Sequence, residues 1–229
     1  GLMDQMGSSV GGAVAIDFGD PKDPVVRPAG YDFSRSGHAL CIVDTGSDHS
    51  AKHLTEDYSD ITREMGGVAA HFGKTVLREV PETEFRSAIP ALRKECGDRA
   101  VLRALHFYDD DRRAVEEAQA LKAGDFGRFL GLVNDSGISS ALHLQNTWSI
   151  SDPRQQAIPV VLAIGRELLE GTGAVRVHGG GFAGTVQAFV PNEKLDAFKS
   201  GMEELLGEGK CHVLHIRPQG GCVVASSIS

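Results

Sequence analysis

The segment GLMDQMGSSVGG sets one carboxylate, Asp4, among small and neutral neighbours. An acid held in such a setting can accept the proton of an attacking hydroxyl, or orient that hydroxyl for attack. A second segment, VHGGGFAGTVQAFVP, gathers glycine at Gly179, Gly180, Gly181 and Gly184. Backbone without Cβ atoms tolerates positive φ and lets another group come close. Two readings fit these glycines: a tight turn that the fold alone requires, or a loop against which a ligand or a second loop lies. Gly179, Gly181 and Gly184 also satisfy G-x-G-x-x-G, with Glu203 and Glu204 about twenty residues on, where a dinucleotide fold wants its ribose acid. Context rejects that match, because the fingerprint must open a helix whose N-terminus holds the pyrophosphate, and TVQAFV reads as a strand.

Other chemistry-bearing residues point nowhere specific. Cys41, Cys96, Cys211 and Cys222 stand far apart without a C-x-x-C pair, which suits buried reduced thiols better than zinc or a disulfide framework. DDDRR, residues 109–113, reads as a solvated face with local ion pairs, since no histidine or metal spacing accompanies it. With 31 acidic against 23 basic residues the chain carries a net charge of −8, which argues against a nucleic-acid or membrane-surface partner. No apolar run approaches the roughly 18 residues of a membrane span, and the start lacks the regions of a signal peptide. A soluble, cytoplasmic protein is expected.

The elements that must position these residues follow from periodicity. AVAIDFG and HALCIVDTG read as strands, separated by DPKDPVVRPAGYDFSRSG, a Pro- and Asp-rich loop that makes the best internal boundary. Leu54, Tyr58, Ile61, Met65, Val68 and Phe72 recur at helical spacing, which predicts a long helix from near Ser50 to Gly73. DRAVLRALHFYDDDRRAVEEAQALKAGD predicts a second, with Asp98 as N-cap and Gly124 as its stop. DFGRFLGLVNDSG predicts a shorter third. The last third reads helix, strand, strand, helix, strand. That order suits an α+β fold built on a ferredoxin-like split β-α-β sheet with helices on one face.

Taken together, GLMDQ, GSDHSAKHLTEDYSDITREMGGVAAHFG, RALHFYDDDRRAVEEAQALKAGDFGRFLGLVNDSG and VRVHGGGFAGTVQAFVP resemble, in order and spacing, the later part of galactokinases, members of the GHMP family of small-molecule kinases. The resemblance implies residues 1–36 as the end of an N-terminal GHMP domain and 37–229 as the C-terminal domain. It implies Asp4 as the acid beside the sugar hydroxyl that receives the phosphoryl group, Gly1 and Tyr58 as sugar contacts, and the four glycines as neighbours of the phosphate loop. ATP and Mg²⁺ are the implied cofactors, with metal ligands expected outside these 229 residues. The family's sugar signature and its Ser-rich phosphate loop are missing here, so the chain is expected to be a fragment cut just before its acid, inactive alone.

Departures from the family pattern bear on specificity. His178 opens the third motif, Ala183 replaces a Gly, and Thr185 replaces a Cys; His178 could face phosphates or be an ordinary hydrogen-bonded histidine. SGISSALHLQNTWSISDPRQQ also differs from the family's Ser-His-x-Ser-Leu pattern, which puts the choice of sugar in question. Two functions follow from the resemblance: a sugar kinase making galactose 1-phosphate, or a galactokinase-like regulatory protein that senses sugar and nucleotide without turnover.

Overall fold

The computed structural model describes residues 2–46, 52–182 and 184–222. The chain runs α1 (Leu2–Val10), β1 (Val14–Asp17), β2 (Val25–Pro28), β3 (His38–Asp44), α2 (Lys52–His71), α3 (Glu82–Glu95), α4 (Asp98–Ala123), α5 (Phe126–Ser139), α6 (Ala157–Leu169), β4 (Ala174–His178), β5 (Thr185–Pro191), α7 (Leu195–Leu206) and β6 (Cys211–Leu214).

Four strands form one sheet in the order β4-β5-β3-β6, with every neighbouring pair antiparallel. β3 and β4 run on either side of β5, and β5 and β6 on either side of β3, which is the split β-α-β plan of the α+β class. Strand alternation sorts the side chains onto two faces. Cys41, Val43, Val175, Val177, Val186, Ala188 and Val190 pack against Ile158, Val161 and Leu162 of α6 and Phe198 and Met202 of α7. Leu40, Ala174 and Phe189 point the other way, into a cluster with Phe129, Leu132 and Val133 of α5. The expectation of helices on one face is therefore corrected: both faces are covered, because Leu40, Ala174 and Phe189 on the second face are apolar and pack against α5.

Five helices separate β3 from β4. α2, α3 and α4 close a second core around Val68, Phe85, Leu92, Val101 and Tyr108. Sequence periodicity left α3 unassigned. Its pattern of Phe85, Ala88, Ile89 and Leu92 is interrupted by Pro90 inside the helix, a residue that removes one ladder hydrogen bond and usually marks a break. α4 ends as expected on Gly124 at φ 73°. At its start Gly97, not Asp98, is the cap, and Asp98 instead pairs with Arg93 at 2.6 Å.

The N-terminal residues are not a bare strand and linker. β1, expected from AVAIDFG, pairs with β2 inside the segment expected to be a loop; β2 is mostly exposed, so no apolar run announces it. Tyr31 stacks on Phe126 with centroids 5.4 Å apart, and Phe33 meets Phe189 of β5 at 6.3 Å. Among the described residues no helix is long and apolar enough to cross a membrane.

The four cysteines are free thiols. Cys41 and Cys211 lie diagonally across β3 and β6, where a hydrogen bond from one to the other, together with burial, holds the Cys41 thiol far above its usual range.

Candidate functional site

Four stretches distant in sequence converge where β4 turns into β5. The turn is the glycine loop. Gly179 and Gly181 sit at φ 64° and 84°, and Phe182 at φ 59°, the left-handed region that an L side chain rarely takes. Phe182 is buried and is held there because its N–H donates to Asn146 O at 2.6 Å. Asn146 Nδ2 donates in turn to Gly180 O at 3.2 Å. From the far end of β3, Thr45 Oγ1 donates to Gly184 O at 2.7 Å.

Tyr58, from α2, grips the same loop. Its hydroxyl donates to Gly181 O at 2.8 Å, and its ring meets Phe182 edge-on at 5.0 Å. Burial, with the Asp57 carboxylate beside it, raises the phenol's pKa, so it stays a donor. Tyr58 is nonetheless 39% exposed, so although it falls on the apolar stripe of α2 it is not a core residue.

The glycines answer to different neighbours. A Cβ on Gly181 would overlap Asn146 O, and one on Gly180 would come within 2.7 Å of the Tyr58 ring, whereas one on Gly179 would meet nothing within 4 Å. Gly180 and Gly181 are thus required by this chain's own packing. Gly179 needs only its backbone conformation and faces open space.

Asp4 lies on the exposed first half of α1. Its charge acts on His178, the residue that ends β4 and opens the loop. Burial and the Arg176 guanidinium lower the His178 pKa more than Asp4 raises it, so the imidazole is uncharged at neutral pH. His178 Nδ1 lies 3.0 Å from Thr185 Oγ1, which makes it a hydrogen-bonded histidine clasping the two ends of the loop. Gly1 lies outside the described residues, as do residues 47–51 and Ala183.

Beneath the loop lies a polar network that sequence reasoning missed. Arg176 of β4 donates from Nη1 to Ser136 Oγ at 2.6 Å and from Nε to Val177 O at 3.1 Å. Ser136 donates to Asp110 Oδ1 at 2.6 Å, and Arg113 reaches the same oxygen at 2.6 Å. His106 Nε2 stands 3.5 Å from Asp110 Oδ2, while its Nδ1 lies 2.9 Å from Ser139 Oγ. Desolvation pushes Glu117 up to about 7 and lowers His106. Asp110 and Arg113, the inner pair of the run expected to be a solvated face, belong to this network; Asp109 and Arg112 do form the expected exposed ion pair. The signal was available in the helical spacing of His106, Asp110, Arg113 and Glu117, which puts four polar side chains on one face of α4.

Asn146 was also missed, since it follows a π-helical turn at Ser140–Leu144 and a left-handed Gln145 that no local pattern announces. Asn146 Oδ1 and Asp57 Oδ2 are buried without a hydrogen-bond partner among the described residues. No group of three or more His, Cys, Asp or Glu among the described residues could hold a metal ion.

No family profile matches the chain. It is similar to the galactokinase of Glaesserella parasuis serovar 5, 26% identical over 199 residues, covering 87% of this chain and 48% of that one. It is also similar to the galactokinase of Streptomyces coelicolor, 29% identical over 204 residues, with 89% and 49% covered. Among solved structures, Lactococcus lactis galactokinase complexed with galactose shares its fold at a TM-score of 0.64 and 19% identity, over 92% of this chain and 53% of that chain. Mevalonate diphosphate decarboxylase from Staphylococcus aureus follows the same fold at 0.51 and 13% identity, over 88% and 50%. The chain spans about half the length of the curated relatives it matches.

Proposed function

We propose that the chain is the counterpart of the C-terminal part of galactokinases and supplies part of the active site of a kinase that transfers the γ-phosphoryl group of ATP to the anomeric hydroxyl of galactose. Residues 1–36 end the domain that carries the acid, and 37–229 form the C-terminal domain. Asp4 is the catalytic carboxylate, Gly1 and Tyr58 contact the sugar, and Gly179, Gly180, Gly181 and Gly184 lie against the nucleotide's phosphates or the loop that binds them. What supports this reading is that Tyr58 of the α2 motif hydrogen-bonds Gly181 of the glycine loop, while the Asp4 carboxylate is near enough to His178, at the start of that loop, to raise its pKa.

In this mechanism Asp4 receives or orients the proton of the anomeric hydroxyl as its oxygen attacks the γ-phosphorus and ADP departs. The uncharged His178 adds no positive charge that would neutralise the acid. The loop, braced by Asn146, Tyr58 and Thr45, presents backbone at the open face of Gly179, where phosphates can approach without displacing side chains. Phosphoryl transfer demands positioning above all, and these braces supply it. Mg²⁺ would neutralise the phosphates, held by residues other than a His, Cys, Asp or Glu cluster of the described residues. The 229-residue chain by itself should show no turnover.

The test joins the chain to the N-terminal half of the Streptomyces coelicolor galactokinase and follows galactose 1-phosphate formation. Asp4→Asn should lower kcat by about 10² to 10⁴-fold, the usual range for a general base, with little change in KM for galactose or in melting temperature. An Asn variant that keeps more than about a tenth of the rate would refute the role of Asp4.

A further inference from the structure

We propose that residues 217–221 form a backbone clamp that fixes α1, and with it the Asp4 carboxylate, relative to the glycine loop; the residues of this clamp position the acid, a role that rests on the reading of Asp4 given above. A helix leaves its last four carbonyls without internal partners. In α1 two of these are met from the other end of the chain: Gly220 N donates to Val10 O at 3.0 Å and Gly221 N to Ser9 O at 3.1 Å. The return contact runs from Gly12 N to Arg217 O at 2.7 Å. The tail therefore caps the helix from outside and pairs with the chain just beyond it.

The approach is backbone to backbone. A Cβ on Gly220 would overlap the carbonyl of Ser9, and a Cβ on Gly11 would overlap the peptide between Gln219 and Gly220. Gly11 also holds φ 77°. Two glycines from opposite ends of the sequence are thus pressed together where no side chain fits, a contact that GSSVGG and PQGGC foreshadow only in composition. Met3 and Val10 of α1 are exposed at 57% and 38%, so these two apolar side chains do not anchor the helix. In such a helix a few directional hydrogen bonds decide orientation, and a displacement of about 1 Å at a catalytic group can cost on the order of 10²-fold in rate.

Two readouts on the 229-residue chain test the clamp without turnover. The first is amide hydrogen exchange across α1, with α4 as internal control. The second is the NMR titration of the His178 imidazole, which Asp4 raises and Arg176 lowers. Gly220→Val should speed exchange in α1 alone and lower the His178 pKa to the value that Asp4→Asn gives, because the carboxylate has moved away. A chain ending at Ile216 removes the clamp without adding an atom and should do the same; it decides the matter if the valine variant fails to fold. Wild-type exchange in α1 and a wild-type His178 titration in the shortened chain would overturn the proposal. Neither measurement depends on phosphorylation, so a failure of the kinase reading in the Asp4→Asn assay would leave the clamp standing as a structural device without a catalytic purpose.

Discussion

The two faces of β4 are built on opposite physical principles. Val175 and Val177 are fully buried against α6 and α7, in a cluster with no charge in it. One residue between them, Arg176, faces α5 and enters a network with Ser136, Asp110 and Arg113. The apolar face gains from every methylene removed from water and does so in any orientation that fills space. The polar face gains little net energy, because desolvating the ions offsets most of their attraction. What it adds is direction: a bidentate-capable guanidinium tied to named oxygens fixes where the end of β4 lies, two residues before the glycine loop begins.

The contrast can be broken from either side, and the largest effect should come from the apolar one. Phe198 is 1% exposed in the α7 face of that cluster. Phe198→Ala should cost about 3–5 kcal/mol of stability, read by urea denaturation, and should leave the pH dependence of stability as it was. Arg176→Met removes the hydrogen bonds to Ser136 Oγ and Val177 O and should cost about 1.5–3 kcal/mol, the range for hydrogen bonds to a charged group. It also removes a positive charge that lowers the Glu117 pKa, so the loss should grow as pH rises, while Asp110 keeps its pair with Arg113. If the methionine variant proved as stable as wild type, the network would have to be read as surface charge.

The smallest effect sharpens the comparison by pH alone. Glu117 is held near 7 by desolvation, against 4.5 in the unfolded chain. The folded form therefore keeps a proton that the unfolded form has already released, and this contribution to stability declines as pH rises through that window. His106, whose pKa is lowered below 6.5 by burial, works in the opposite sense and penalises acidification. Glu117→Gln should remove about 1–2 kcal/mol of the change in stability between pH 5.5 and 7.5, measured as the shift in denaturation midpoint at the two pH values. An unaltered pH profile would show that Glu117 is solvated in the native state.

What was legible in the sequence divides along the same line. β3, β4 and β5 announced themselves through apolar alternation, and α2, α4 and α5 through helical spacing, because burial on one face leaves a period in the sequence. The glycine loop was legible as a special place, and the strand after it was enough to reject a dinucleotide fold. Asn146 was not, since its role depends on a peptide oxygen and a left-handed residue before it, which carry no side-chain signature. Nor was the assignment of glycines to neighbours: Gly181 answers to Asn146 and Gly180 to Tyr58, and the hydrogen bonds from Asn146 to Gly180 and from Tyr58 to Gly181 span 34 and 123 residues of chain. The network under β4 was hidden by a true statement about averages, that runs such as DDDRR are usually solvated.

The central strand β3 carries a further consequence. Thr45, at its end, closes a hydrogen bond to a residue 139 positions later, and Asp44 pairs with Lys210 across 166. Both neighbours of β3 in the sheet, β5 and β6, are made after α2 to α6. A ribosome delivering this chain in order releases β3 long before it has anything to pair with, while α2, α3 and α4 can close their own core at once through local contacts. Long-range pairing is the slow step in folding because loop closure must precede its reward. The site at the end of the sheet is therefore late to exist: its loop waits for β5, and the clamp on α1 waits for residues 217–221, so a nascent chain cannot acquire it early.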